Sequence, residues 1–451
     1  LKKFKSFVST VFPSEAAFVR DNNEMRDADL LEVIDKIVDQ VMHPEKEIEF
    51  DESVNPRKYS RIIKSFETKL AKIDVDKYYE WISRINYLIT TDAIPPEEQT
   101  RILRETESFT PGWFHAESFF RAMENYEGYL LIRYREKDYK IVRKFLESHR
   151  EAIETNREID AQIKAITEKM VLEGNIETAS LEPLHLRWLD GIFHNETLSK
   201  KTRYQALLMY NMHHINIRSI ANLLEPMAEL EGSILKGEFY SRRIVANFYA
   251  NKLLILNYLG KYQQAAFCGL QSIKHHTEDY LYYLNNYSSV LMHLERYSDA
   301  LEQMQESFPL YKSTRDKSRR LIFVSNYCRC LNKLGNFQQS ARLAESYLDE
   351  IGNQVFTYRW NYFFRVFFSA LYLKGQSEKL LRIEKKFNLA EKERKSGFLP
   401  YIALLRLGAS YQEMKVAEKV FQKQLATIKQ EIKGKDKAEM RELLRMIENA
   451  E

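Results

Sequence analysis

The chain has 451 residues, enough to bury a large core, yet only 14 Gly and 10 Pro, too few punctuating residues for a β-rich or loop-rich protein of this size. Lys and Arg total 68 against 64 Asp and Glu, a formal charge of +4, so no global field draws the chain to nucleic acid or an anionic membrane. Long helices with short connections are expected, no apolar run approaches the ~20 residues that span a bilayer, and the three cysteines Cys268, Cys328 and Cys330 supply neither a zinc ribbon nor a disulfide framework, which fits a reducing, cytoplasmic setting.

The basic start LKKFKSFVSTVFPSEAAF has a brief apolar portion that ends at Pro13 and Glu15 without a cleavage site of the signal-peptide kind. DLLEVIDKIVDQVM at 29–42 predicts an amphipathic helix, and HPEKEIEFDESVNPRKYS at 43–60 reads as an exposed connection. Pro95-Pro96 followed by EEQTRIL predicts a helix start, with proline and acids in the first turn, and TPGWF at 110–114 predicts a reversal. YLLIRYREKDYKIVRKFLESH at 129–149 predicts two helices about an Asp138-Tyr139 turn, and EGNIETASLEP at 173–183 predicts a break.

From 184 the helices become aromatic-rich, and the chain nearly repeats itself: YLGKYQQAAF at 258–267, HLERYSDALE at 293–302 and KLGNFQQSAR at 333–342. Anchored on Gly260, Glu295 and Gly335, these segments place Tyr262, Tyr297 and Phe337 two residues later and Ala265, Ala300 and Ser340 five later. Asn251, Asn286 and Asn326 stand nine residues earlier. The pattern predicts helix hairpins in which glycine ends the first helix in a left-handed conformation, the aromatic fills the bend and the small residue lets the helices approach. Ala300, Leu301, Met304 and Phe308 form an apolar face that one hairpin cannot cover, so copies must stack.

These residues resemble the tetratricopeptide repeat family over about 246–350. Gly375 continues the spacing, with Ser377 and Leu380 in place of the aromatic and the small residue, and RLGASY at 406–411 keeps part of a first helix. The pentatricopeptide pattern is similar, but its strict 35-residue period departs from the drift to 40 seen here. The resemblance implies an all-α fold of antiparallel hairpins stacked as a right-handed superhelix over 184–421. Residues 1–183 are a helical region, either a separate bundle or diverged repeats. Residues 422–451, with seven basic and six acidic residues, are expected to form charged capping helices whose apolar face carries Ile428, Ile432, Met440, Leu443, Leu444 and Ile447, with a partner-binding helix as the alternative.

Signatures of catalysis are mostly missing: there is no phosphate-binding glycine loop, no His-Glu-x-x-His and no Gly-x-Ser-x-Gly. The pairs His213-His214 and His275-His276 are adjacent, so on a helix they point ~100° apart rather than chelating as i, i+4 neighbours do. RKFLESH at 143–149 and RWLDGIFH at 187–194 resemble the Arg-to-His spacing of HEPN ribonucleases, at the frequency chance supplies and with Lys144 and Trp188 after the arginine. Cys328 and Cys330 face nearly opposite ways on one helix and read as small buried thiols. The aromatic run Trp360, Tyr362, Phe363, Phe364, Phe367 and Phe368 reads as core. The expected protein is no enzyme and needs neither cofactor nor metal.

In the resembled family, the asparagine before the turn faces the concave groove and bonds the backbone of an extended peptide, which places Asn251, Asn286 and Asn326 as candidates. The same helices then present Ser289 and Arg329 three residues on, and Asn257, Met292 and Asn332 three further. Lys333 and Arg365 complete a cationic end suited to an acidic or mixed protein segment. The equal alternative for each asparagine is a hydrogen bond between repeats. The expected function is an interaction scaffold for a protein or peptide partner, with a nucleic-acid-binding solenoid or a peptide-gated regulator as alternatives.

Overall fold

The computed structural model describes residues 1–24, 27–46, 48–51, 55–172, 181–217, 219–432 and 438–448. Among these the regular elements are all helical. In chain order the first of them are α1 Lys2–Thr10, α2 Pro13–Asp21, α3 Ala28–Met42, α4 Pro56–Ile73, α5 Val75–Thr90, α6 Pro96–Ser108, α7 Ala116–Ile132, α8 Glu136–Leu172, α9 Pro183–His194, α10 Lys200–Asn216, α11 Leu224–Leu235 and α12 Arg242–Tyr258. There follow α13 Tyr262–Ser272, α14 Tyr280–His293, α15 Tyr297–Glu306, α16 Phe308–Ser313, α17 Lys317–Lys333, α18 Phe337–Ile351, α19 Trp360–Leu373, α20 Ser377–Phe387, α21 Leu389–Lys395, α22 Tyr401–Gln412, α23 Glu418–Glu431 and α24 Ala438–Glu448.

Two compact units share the chain: residues Leu1–Lys261 with Leu270–Thr277, and Tyr262–Gly269 with Glu278–Glu451. The division differs from the break expected at 173–183, of which 173–180 lie outside the described residues. The physical reason is a core that spans that break, where Ile163 and Met170 of α8 pack with Leu189 and Ile192 of α9 and with Ala206 and Met209 of α10. Composition marks where a chain is polar, whereas a unit ends where apolar contacts run out.

In the first unit, Asp27 caps α3 by accepting the Asp29 N–H at 3.1 Å, and Leu30, Val33, Ile34, Ile37 and Val41 turn the predicted stripe inward. The connection expected to be exposed contributes Phe50 to this same core. Pro96 opens α6 as read, but the predicted Asp138-Tyr139 turn is shifted. The reversal lies at Arg133–Arg135 with Tyr134 at φ +57°, and Asp138 sits in the first turn of α8, paired with Arg135. An acid at a helix start is electrostatically favoured. Glu15, 2% exposed, accepts from the Phe12 N–H at 2.9 Å, the Tyr240 hydroxyl at 2.7 Å and Arg242 Nε at 2.9 Å, which ties α2 to the start of α12. Burying so polar a side chain is costly unless it is hydrogen-bonded, and these three donors meet that need.

In the second unit, α14 runs into α15, α17 into α18 and α19 into α20. Each first helix ends on a positive φ, at Glu295 (+58°), Gly335 (+78°) and Gly375 (+73°). After the turn the backbone N–H of Arg296, Asn336 and Gln376 reaches back to the carbonyl of Leu291, Leu331 and Leu371, at 2.9, 2.8 and 2.8 Å. Small residues then admit the neighbouring helix: Ala300 and Ser340 are fully buried, and Ser340 exchanges hydrogen bonds with Cys328 across the hairpin at 3.2 and 3.4 Å. Phe363, Phe364, Phe367 and Phe368 fill the interior, and burial pushes the Cys328 and Cys330 thiols up to about 12, which keeps them protonated.

No atom lies within 4 Å of a Cβ placed on Gly335, so its φ alone decides what the position tolerates. Gly335→Ala is expected to lose about 1 kcal/mol, and Glu295→Gly, which relieves the same strain, to gain a few tenths to about 1 kcal/mol. Chemical denaturation of both variants checks the opposite signs.

Candidate binding groove

Three of the predicted residues share one face of α17, because Arg329, Asn332 and Lys333 stand at i, i+3 and i+4. Arg365 and Ser369 do the same on α19. Together with Tyr401 of α22 and Glu439, Glu442, Leu443 and Met446 of α24 they line a pocket of about 160 Å³. Each of the cations meets a carboxylate of α24. Glu439 pairs with Arg329 and with Arg365, the latter at 3.2 Å, and Glu442 pairs with Lys333. The Arg365 guanidinium also lies 4.4 Å from the Tyr401 ring centroid, a cation–π contact that fixes its plane.

Burial works against the charge of Arg329, but Tyr362 and Glu439 outweigh it and hold its pKa above the ordinary arginine value. Burial likewise opposes ionisation of Glu439, yet Arg365 and Arg329, backed by His293 and Lys333, hold its carboxyl below the usual range. Lys333 and Glu442 form a more open pair, of the kind that contributes ~0.2–1 kcal/mol. Glu439, shared by two arginines that are each about one-fifth exposed, is therefore the main electrostatic anchor.

The asparagines divide. Asn326 Nδ2 donates to the Asn285 carbonyl at 3.1 Å, and its Oδ1 accepts the Tyr362 hydroxyl at 2.9 Å, so it links α14, α17 and α19. Asn285, next to the predicted Asn286, donates to the Arg319 carbonyl at 3.2 Å, and Asn332 donates to the Val366 carbonyl at 3.0 Å. For these residues the amide is used in a hydrogen bond between helices. Asn286 differs, with a buried Nδ2 that lacks a hydrogen-bond partner among the described residues. Ser289 is half-buried and Met292 is buried on α14. Asn251 and Asn257 lie on α12 in the other unit, where Asn251 donates to Asn247 Oδ1 at 3.0 Å.

Sequence reasoning does not single out Glu439 and Glu442, because it reads 422–451 first as a charged cap and only second as a partner-binding helix. Met440, Leu443 and Ile447, from the apolar face read in the sequence, are buried, and a Cβ added to Gly408 of α22 would stand 2.7 Å from Ile447 Cδ1. Glu439, Glu442, Leu443 and Met446 recur at i, i+3, i+4 and i+7, a pattern visible in the sequence once a cationic groove is known to await it.

The remaining candidates are engaged elsewhere. Arg143 bonds Glu147 at 2.6 Å and Glu127 at 3.2 Å, while the His149 ring packs against Phe109 and Phe145, and His194 pairs with Glu229 at 3.1 Å. His213 and His214 are buried, His213 Nδ1 accepting the Leu181 N–H at 3.0 Å. Among the described residues no group of three or more His, Cys, Asp or Glu is placed to hold a metal ion, and no helix is long and apolar enough to cross a membrane. Neither family models nor curated proteins nor solved structures yield a match to this chain.

Two outcomes are expected. Asn326→Ala loses about 1–3 kcal/mol of unfolding free energy because two buried partners are stranded, whereas Asn286→Ala changes stability little, as denaturant titration of each will show. Glu439, with its folded-state pKa below the unfolded value of about 4.5, contributes stability above that pH and loses it as pH falls through the folded value. The difference in melting temperature between the native chain and Glu439→Gln therefore narrows on acidification below pH ~4.5 and is largest near neutrality.

Proposed function

We propose that the chain is a non-catalytic interaction scaffold whose hairpins from α14 to α22 stack as a right-handed, tetratricopeptide-like superhelix and receive a protein segment along the first helices. The reading rests on one observation: Arg329, Asn332, Lys333 and Arg365, from successive first helices, converge on a single pocket that already takes in a helix. Stacked repeats offer a large surface per residue, and side chains on that surface can vary while the hydrophobic interior stays fixed. Guanidinium groups present planar forks of donors suited to carboxylates, which makes an acidic segment the natural ligand. A cytoplasmic location accords with three buried free thiols.

The test is affinity capture from the native cell with the full chain and with Arg329→Glu. A protein retained by the native chain in nuclease-treated lysate and after a rise in salt, and lost with the variant, supports the scaffold. Retention of RNA or DNA instead, with affinity falling steeply with salt, would replace it by the nucleic-acid reading.

A further inference from the structure

The last helix of the chain occupies its own candidate groove imperfectly. Glu439 and Glu442 supply two carboxylates to the three cations Arg329, Lys333 and Arg365, so the cleft keeps an excess of positive charge. Beside Met446 and Leu443 a space of about 160 Å³ remains, bounded also by the apolar Val366 and Leu373. A cavity of ~150 Å³ is large enough to admit benzene. Asn332, which lines the same space, has its Oδ1 buried without a hydrogen-bond partner among the described residues. A cleft with charge left over, room for a ring and an orphaned acceptor is filled by an occupant that does not exhaust it.

We propose that α24 is an intramolecular stand-in for the partner, and that the partner is an acidic amphipathic helix. Such a helix carries carboxylates at the Glu439 and Glu442 positions and an aromatic side chain at the position of Met446, where the ring fills the space that methionine leaves. This inference rests on the scaffold reading and adds the partner's chemistry and a built-in competitor. Tethering gives α24 an effective concentration in the ~mM range, so modest docking suffices to hold the groove against an external ligand. A partner that meets the same cations and also fills the cavity has the differential affinity needed to displace it.

The probe is a capped, fluorescently labelled peptide with the sequence of residues 438–448, AEMRELLRMIE, together with its Met446→Phe form and a form with Glu439→Gln and Glu442→Gln. Binding to the full chain is compared with binding to the full chain carrying Glu439→Lys and Glu442→Lys, which repels its own helix from the groove. The expected result is at least tenfold tighter binding of the peptide to the variant, a further gain of threefold or more for the phenylalanine form, and loss of binding for the glutamine form. Equal affinity for native and variant chains, indifference to the peptide's glutamates, or no binding to a variant whose helicity and melting remain native would overturn the inference.

Should the variant fail to fold, the native chain labelled at Arg445→Cys, an exposed position, supplies the second measurement, since the natural thiols are buried. Excess phenylalanine peptide must then raise the mobility of the label, and an unchanged label counts against displacement. A captured partner that the peptide fails to compete away would leave the scaffold standing and sink only this inference.

Discussion

A reversal of the chain through a residue with positive φ is the constraint on which the second unit depends. At Glu295, Gly335 and Gly375 the backbone turns in a left-handed conformation, and the N–H one residue on closes back on the first helix. The turn fixes where the second helix starts, so the residue five places on is always the one pressed against the first helix. In the first two of these hairpins a small side chain, Ala300 or Ser340, is buried there. Leu380 takes that place in the next hairpin and is fully buried, with the small Ser377 standing where the other two hairpins carry an aromatic ring.

Once hairpins are formed, the polar groups on their first helices have two possible uses. Asn285, Asn326 and Asn332 use their amides to grasp a backbone carbonyl of a neighbouring first helix, Asn285 and Asn326 linking α14 with α17 and Asn332 linking α17 with α19, which fixes spacing and register between helices that apolar packing alone would let slide. The longer cationic side chains extend beyond this amide layer and meet carboxylates. Length thus separates the roles. Short amides bind the helices to one another, while Arg329, Lys333 and Arg365 reach the carboxylates of α24.

The terminal helix combines both modes. Its apolar residues Met440 and Ile447 bury against the body of the second unit, where Gly408 lets Ile447 approach, and its acids meet the groove cations. A cap and a ligand satisfy the same physical requirement, since each covers an apolar face that the last hairpin leaves open.

Much of this was legible in the residues. The left-handed turns, the small residues after them and the aromatic run as core follow from local rules, since backbone conformation and helical period act within ten or so residues of one another. The helix at 29–42 and the proline start at 96 are local in the same way. The unit boundary was not legible, because Ile163 and Met170 meet Leu189 and Met209 only through packing over a polar stretch. Nor was the choice between a free and an engaged asparagine, since Asn285 and Asn286 are chemically identical and only the path of the neighbouring helix decides which one finds a carbonyl. By itself the sequence determined an all-helical chain, its hairpins and the face bearing Arg329, Asn332 and Lys333. The tertiary structure alone decided that Glu439, more than a hundred residues downstream of Arg329 in the chain, sits between two arginines, because ion pairing over that separation depends on where the folded backbone brings the charges and no local pattern encodes it.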